Sequence, residues 1–170
     1  CDDRVIGSVT FDTPDSIKNT LVDKSINYDW GKTDINHRSN ILQKVADLIQ
    51  SNADELLYLL LHETGKTIHD AWDELREAED FLRFYCNEAN HIQAKPRELK
   101  GPTGELNEIS YHPKGTFLCI SPWNFPAAIL VGQISAALIT GNNVVVKPSE
   151  YASLIGYKII ELFCSQKNCK

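Results

Sequence analysis

A chain of 170 residues with 42% hydrophobic and 24% charged side chains has the balance of one ordinary globular domain and is too short for two comfortable ones. Its formal net charge of −6 speaks against a nucleic-acid partner, because phosphate binding requires a basic stripe. The longest apolar stretch, around Phe125 to Leu138, is broken by Pro126, Gly132, Gln133 and Ser135, so no membrane span is expected.

The first two-thirds of the chain read as helices. Thr13-Pro14-Asp15 is a helix start, with a hydroxyl N-cap, a proline in the first turn and an acid near the positive end of the helix dipole. Ile17, Leu21 and Val22 follow at helical spacing, with Ile26 just beyond. A second helix is expected from about Asn36 to Gln50, burying Ile41, Val45, Leu48 and Ile49. Asn52 can cap a third, carrying Leu56, Leu57, Leu60 and Leu61 and stopped by Gly65. Thr67 with Asp70 three residues later resembles a capping box. It opens a long amphipathic helix through Trp72, Leu75, Ala78, Phe81, Leu82 and Tyr85, whose acids Asp70, Asp73, Glu74, Glu77, Glu79 and Asp80 are expected on the wet face.

The pattern changes after His91. Pro96, Gly101, Pro102 and Gly104 make residues 95–105 a linker or extended crossing segment. Leu106 to Tyr111 alternates enough for a strand, and Pro113-Lys114-Gly115 makes a turn. Thr116 to Ser121 is a short apolar run, as expected of a parallel strand buried on both faces. A helix from about Pro126 to Thr140 ends at Gly141, Asn143 to Lys147 is a second buried strand, and Ala152 to Phe163 is another helix. The expected fold class is therefore α/β. A helix-rich N-terminal part with its linker, residues 1–105, precedes residues 106–170, the first βαβα units of a Rossmann-like parallel sheet; the two are parts of one incomplete domain.

Cys1, Cys86, Cys119, Cys164 and Cys169 are odd in number, scattered and without CxxC spacing, which argues for free thiols rather than disulfides or zinc. His37, His62, His69, His91 and His112 have no ligand spacing either, so no metal site is expected. The charged opening Cys1-Asp2-Asp3-Arg4 is not that of a signal peptide, and the expected compartment is the cytoplasm. The lack of any methionine points to a trimmed or excised stretch or to methionines lost from the record.

Ligands of open α/β sheets bind beyond the carboxyl ends of the strands, so chemistry is sought there. Beyond the first strand of the pair comes Ser121-Pro122-Trp123-Asn124-Phe125-Pro126, a turn stiffened by two prolines that can present the Asn124 amide as a fixed donor to an oxyanion. Beyond the second comes Lys147-Pro148-Ser149-Glu150, whose ammonium and carboxylate suit ribose hydroxyls. No GxGxxG phosphate loop occurs.

At these residues the chain resembles the aldehyde dehydrogenase superfamily. The matching stretches are Pro122-Trp123-Asn124-Phe125-Pro126, Ala137-Leu138-Ile139-Thr140-Gly141-Asn142 and Val144-Val145-Val146-Lys147-Pro148-Ser149-Glu150, in that order and spacing, with Glu63-Thr64-Gly65-Lys66-Thr67 upstream. More narrowly, Gly101-Pro102-Thr103-Gly104-Glu105-Leu106-Asn107-Glu108, Cys119-Ile120-Ser121 and Arg76-Glu77-Ala78 running to Tyr85 look like the aldehyde dehydrogenase domain of bacterial bifunctional proline-utilisation flavoproteins. That resemblance implies NAD-dependent oxidation of L-glutamate γ-semialdehyde, the open form of Δ1-pyrroline-5-carboxylate, to L-glutamate in proline catabolism. The chain corresponds to roughly the first third of such a domain.

Carried over residue by residue, the resemblance gives Asn124 the thiohemiacetal oxyanion. Lys147 and Glu150 receive the adenosine ribose, with Ser149 beside them. Ile120, Ser121, Pro122 and Trp123 line the cofactor cleft. The Glu150 carboxylate would repel a 2′-phosphate and so favour NAD over NADP. The family's nucleophilic cysteine, glutamate base and pyrophosphate-binding turn have no counterpart here, so the chain alone is expected to be inactive. Cys119 lies in a strand expected to be buried, where a thiol is a packing group. The alternative is a truncated, non-catalytic module or a degenerate remnant. An unfinished sheet would expose a strand edge and apolar faces, which invites self-association or pairing with a complementing chain.

Overall fold

The computed structural model describes residues 5–22 and 28–166; Cys1, Ile26, Cys169 and the side chains of Leu21 and Val22 lie outside the described residues. Among the described residues six helices and four strands follow in the order α1 (Pro14–Val22), α2 (Ile35–Ser51), α3 (Ala53–Thr64), α4 (Ile68–Gln93), β1 (Arg97–Leu99), β2 (Asn107–Ile109), β3 (Thr116–Ile120), α5 (Ala128–Ile139), β4 (Asn143–Lys147) and α6 (Ser153–Cys164). Short 3₁₀ turns precede α2 and α6, at Tyr28–Lys32 and Glu150–Ala152.

Local chemistry places the helix ends where the residue types demand them. Thr13 Oγ1 accepts the Ser16 amide at 3.2 Å and starts α1. The carboxylate of Asp34 accepts the Asn36 amide at 2.8 Å and starts α2. Thr67 caps α4 by accepting from the Asp70 amide at 3.2 Å, and its hydroxyl returns a 2.7 Å bond to the Asp70 carboxylate. Gly65 ends α3 in the left-handed conformation, φ 70°, which a side chain resists. Asn52 departs from its expected role: its amide donates back to the Leu48 carbonyl at 2.8 Å and so closes α2 instead of capping α3.

The buried stripes include Val45 and Ile49 of α2 and Leu75, Ala78 and Leu82 of α4 as expected, and depart from expectation at neighbouring positions. In α2 the core side chains are Ile35, Leu42, Val45, Ala46 and Ile49, whereas Ile41 and Leu48 are half-buried. In α4 the stripe is Ala71, Leu75, Ala78, Leu82, Cys86 and Ala89, and Trp72, expected inside, is 47% exposed. Three alanines on the inner face let α4 approach α2 and α5 closely, and these are its most extensive neighbours. The large Trp72 ring, one residue around the helix, is turned outward. Ile17 of α1, also expected to face inward, is 48% exposed.

β2 lies within the expected strand of residues 106–111, and it pairs in antiparallel register with β1, which forms inside the stretch expected to be a linker. β3 and β4 pair in parallel, Thr116 with Asn143 through Ile120 with Lys147, as the βαβ crossover requires. β3 is not buried on both faces: Cys119 is buried, but Phe117, Leu118 and Ile120 are 43%, 61% and 54% exposed. With only β4 beside it among the described residues, nothing covers its outer face. One hydrophobic cluster nevertheless runs unbroken from Ile35 in α2 to Phe163 in α6, joining the helical part to the βαβα part. Among the described residues, no helix is long and apolar enough to cross a membrane.

Candidate cofactor cleft

The two loops singled out from the sequence leave the sheet side by side. Ile120 and Lys147 are register partners at the carboxyl ends of β3 and β4. The Ser121 amide extends the ladder by one more bond, donating to the Lys147 carbonyl at 3.2 Å. The crossover between them is closed by Asn142, which is 4% exposed and whose Oδ1 accepts from the Lys114 and Gly115 amides at 2.6 and 2.9 Å. Gly141 sets that corner at φ 87°, and a Cβ there would lie 2.8 Å from Pro113 Cγ.

Within the first loop Ser121 is buried, with its hydroxyl donating to the Pro122 carbonyl at 3.3 Å, while Trp123, Asn124 and Phe125 are exposed. Trp123, 57% exposed, is therefore not a core aromatic. Asn124 is exposed, and its side-chain amide makes no hydrogen bond among the described residues. Gln133, on α5, donates to the Ile120 carbonyl at 3.0 Å and holds the strand end in place.

In the second loop Lys147 Nζ lies 3.0 Å from Glu150 Oε2, with both side chains 55% exposed. The Glu150 carboxyl is held below the usual carboxylate range, first by its own backbone amide and then by the hydrogen bond and charge of Lys147. Ser149 is buried, and its hydroxyl accepts the Tyr151 amide at 3.2 Å, capping the 3₁₀ turn. The Lys147–Glu150 pair is thus open to solvent, whereas Ser149 is not.

Two residues that composition places on a wet surface prove central. Glu74 is 1% exposed, and its Oε1 accepts the Ala127 and Ala128 amides at 2.8 and 3.2 Å. Lys66 Nζ stands 3.1 Å from Oε2, an ionic contact without hydrogen-bond alignment, and 4.0 Å above the Phe125 ring. Glu63 does the same for α6, accepting the Leu154 and Ile155 amides at 2.7 and 2.8 Å. Neither α5 nor α6 has a side-chain cap of its own, so both helix starts are satisfied from the helical part of the chain. The one sequence signal for Glu74 was its position in register with Ala71, Ala78 and Leu82 on the inner stripe.

These carboxylates also decide what the cleft can hold. The free N-terminus of a helix is where a dinucleotide fold ordinarily receives phosphate, but here both available ends already carry a negative group. The residues thus fit the adenosine side of a dinucleotide, with the apolar Ile120 and the half-exposed Lys147–Glu150 pair, and do not offer a pyrophosphate site at α5 or α6. Nor do Cys86 and Cys119 offer an activated thiolate: burial pushes both thiols up, and Cys119 lies in the core.

A parallel βαβα unit whose two strand-end loops are polar and exposed is a piece of an open α/β fold, in which ligands bind beyond the strand ends. The chain belongs to the aldehyde dehydrogenase family, whose profile matches residues 1–167. It is 40% identical over 126 residues to the bifunctional protein PutA of Salmonella typhimurium, an alignment covering 74% of this chain and 9% of that protein. Its fold superposes on a crystal structure of Bradyrhizobium japonicum proline utilization A (PutA) with a TM-score of 0.87 at 36% identity, covering 94% of this chain and 16% of the other. A Thermus 1-pyrroline-5-carboxylate dehydrogenase with bound NAD matches with a TM-score of 0.75 and 36% identity, covering 81% of this chain and 27% of that one. The chain thus spans between 9% and 27% of the length of these three proteins.

Proposed function

We propose that these residues form the adenosine-binding half and the oxyanion turn of an NAD-dependent dehydrogenase that converts L-glutamate γ-semialdehyde to L-glutamate in the cytoplasm. The observation that carries this reading is the pairing of Ile120 with Lys147. It brings the Pro122–Pro126 turn and the Lys147–Glu150 pair to one edge of one sheet. The semialdehyde as substrate, and proline catabolism as its setting, rest on the likeness to PutA and to the Thermus dehydrogenase.

In this reading Lys147 and Glu150 separate from each other to hydrogen-bond the adenosine ribose, while Ile120, Ser121, Pro122 and Trp123 form the wall beside it. Bound NAD supplies the hydride acceptor. Asn124 donates its amide hydrogens to the oxygen of the aldehyde carbon as charge develops there, and the stiff turn lets it do so without reorganising. The thiol nucleophile and the carboxylate base are assigned to no described residue, so this stretch by itself binds and orients but does not turn over. Residues 1–105 and 106–170 act as two parts of one incomplete domain, with the helical part bracing the cleft.

Titration of the chain with NAD, followed by tryptophan fluorescence, tests the reading. A saturable change, lost in the Trp123→Phe variant, with a dissociation constant around or below 1 mM, on the order of 4 kcal/mol, is the expected result. No change up to several millimolar overturns it for the chain as it stands.

A second reading draws on the open face of β3. Leu118 and Ile120 point away from the core beside Val145 and form an apolar strip that self-association or a complementing chain would cover. Concentration-dependent sedimentation that disappears in a Leu118→Lys variant supports it; a monomer at all concentrations counts against self-association.

A further inference from the structure

We propose that Lys66 and Glu74 are positioning residues that aim the Asn124 side chain by gripping the turn just after it, which rests on the reading of Asn124 as an oxyanion donor. Asn124 has no side-chain bond of its own among the described residues, so the direction of its amide is inherited from the backbone. That backbone is held at two successive points. The Phe125 ring lies under Lys66 Nζ at 4.0 Å, and the Ala127 and Ala128 amides end on Glu74 Oε1 at 2.8 and 3.2 Å. Between them stands Pro126, buried and fixed in φ. The ion pair, 3.1 Å long, joins the two grips into one unit that reaches across from the start of α4 and the loop before it.

A helix start needs only a neutral acceptor, and a serine or asparagine ahead of α5 would satisfy the same amides. A carboxylate with a side chain of 0% exposure, matched by a lysine of 14%, is a costly way to cap a helix, because desolvating two charges offsets much of their attraction. What the charged arrangement adds is direction. A neutral cap at the helix start would bond the amides without reaching Phe125, whereas the Lys66 ammonium is drawn to the ring and the carboxylate together and leaves the turn one seat. The sequence separation between Lys66 and Phe125 makes this a contact that the helical part imposes on the cleft.

The test uses the full chain labelled with 5-fluorotryptophan, with the Trp123 fluorine resonance assigned by Trp123→Phe. In Lys66→Met and Glu74→Gln, the Trp123 line is expected to shift or split while the Trp30 line stays, since the Trp30 indole is bonded to Leu138 at the opposite end of α5. Amide exchange across residues 122–128 should rise roughly tenfold or more without a matching rise in α2, and Lys66→Arg should restore both signals. A Trp123 line unmoved in both variants while thermal stability falls would overturn the proposal and leave the pair a plain stabilising contact. Should Lys66→Met not fold, Glu74→Gln decides, because its amide oxygen still accepts from Ala127 and Ala128. The readout needs no cofactor. A moved Trp123 line in a chain that never binds NAD upholds the grip and sinks the cofactor reading; NAD binding with an unmoved line does the reverse.

Discussion

Glu63, at the end of α3, reaches the start of α6 and accepts the Leu154 and Ile155 amides at 2.7 and 2.8 Å, one on each carboxylate oxygen. The two residue groups are 91 and 92 positions apart in sequence, yet the contact is geometrically the same as a local N-cap. It places a negative charge at the positive end of the α6 dipole and satisfies two amides that no nearby side chain reaches. With Glu74 on α5, the crossover helix of the parallel pair and the helix that follows β4 are both registered against the helical part by their first turns. The strand ends that carry Asn124 and Lys147 inherit that register.

Removing the Glu63 carboxylate should therefore destabilise the chain beyond a surface change. Glu63→Ala leaves two amides without their acceptor and is expected to cost about 1–3 kcal/mol, read as a lower urea midpoint. Glu63→Gln keeps one acceptor oxygen and should lose less. Equal midpoints for the parent and Glu63→Ala would show that water serves these amides as well as the carboxylate does.

Much of this architecture was legible because its determinants are local. The β4 boundaries, Asn143 to Lys147, coincide with the apolar run, Gly65 ends α3 by its left-handed backbone, and Thr67 and Thr13 start helices through bonds spanning three residues. The exposed turn at Asn124 and the adjacency of Lys147 followed from strand order alone. What could not be read depends on distance in the chain. Glu74 looks like one more acid in an acidic run until α5 arrives with two unpaired amides, and Asn52 looks like a cap for α3 until the Leu48 carbonyl proves the better partner. β3 has the composition of a doubly covered strand, but composition does not report that, among the described residues, only β4 lies beside it.

Asp34 gives a pH prediction with a definite sign. Its carboxyl is held below the usual range, chiefly by the Asn36 backbone amide, so the folded state binds its proton less readily than the unfolded chain. Stability from this cap is fully present above the unfolded value near 3.8 and is lost as pH falls through the lower folded value. Comparing thermal midpoints of the parent and Asp34→Asn should show the parent ahead at neutral pH and the gap narrowing below about pH 4. A gap constant from pH 7 to pH 2 would mean that charge contributes nothing at this helix start.

Thiol reactivity separates the cysteines by position. Cys164 is exposed, while Cys86 and Cys119 are buried and carry thiols raised by desolvation, Cys86 with its Sγ 3.8 Å from the Ser39 carbonyl. Limited alkylation at neutral pH, mapped by peptide mass spectrometry, should modify Cys164 first and reach Cys86 and Cys119 only as the chain unfolds. Cys119 labelled as fast as Cys164 in the folded chain would reopen it as a reactive group.

In the proposed reading, cofactor choice turns on Glu150. Its ionised carboxylate sits 3.0 Å from Lys147 at the β4 end, where it can accept from ribose hydroxyls and repel a phosphate in the same place. If the adenosine ribose binds there, Glu150→Gln should weaken NAD by roughly tenfold, the worth of one charge-assisted hydrogen bond, and weaken NADP less, so that the preference between them narrows. Lys147→Met should weaken both, because it removes a donor that either cofactor uses and leaves the Glu150 charge unpaired. Parallel fluorescence titrations of the parent and both variants with NAD and NADP measure this. An unchanged ratio of the two affinities in Glu150→Gln would place the ribose elsewhere and reduce the Lys147–Glu150 pair to a surface ion pair, which contributes little by itself.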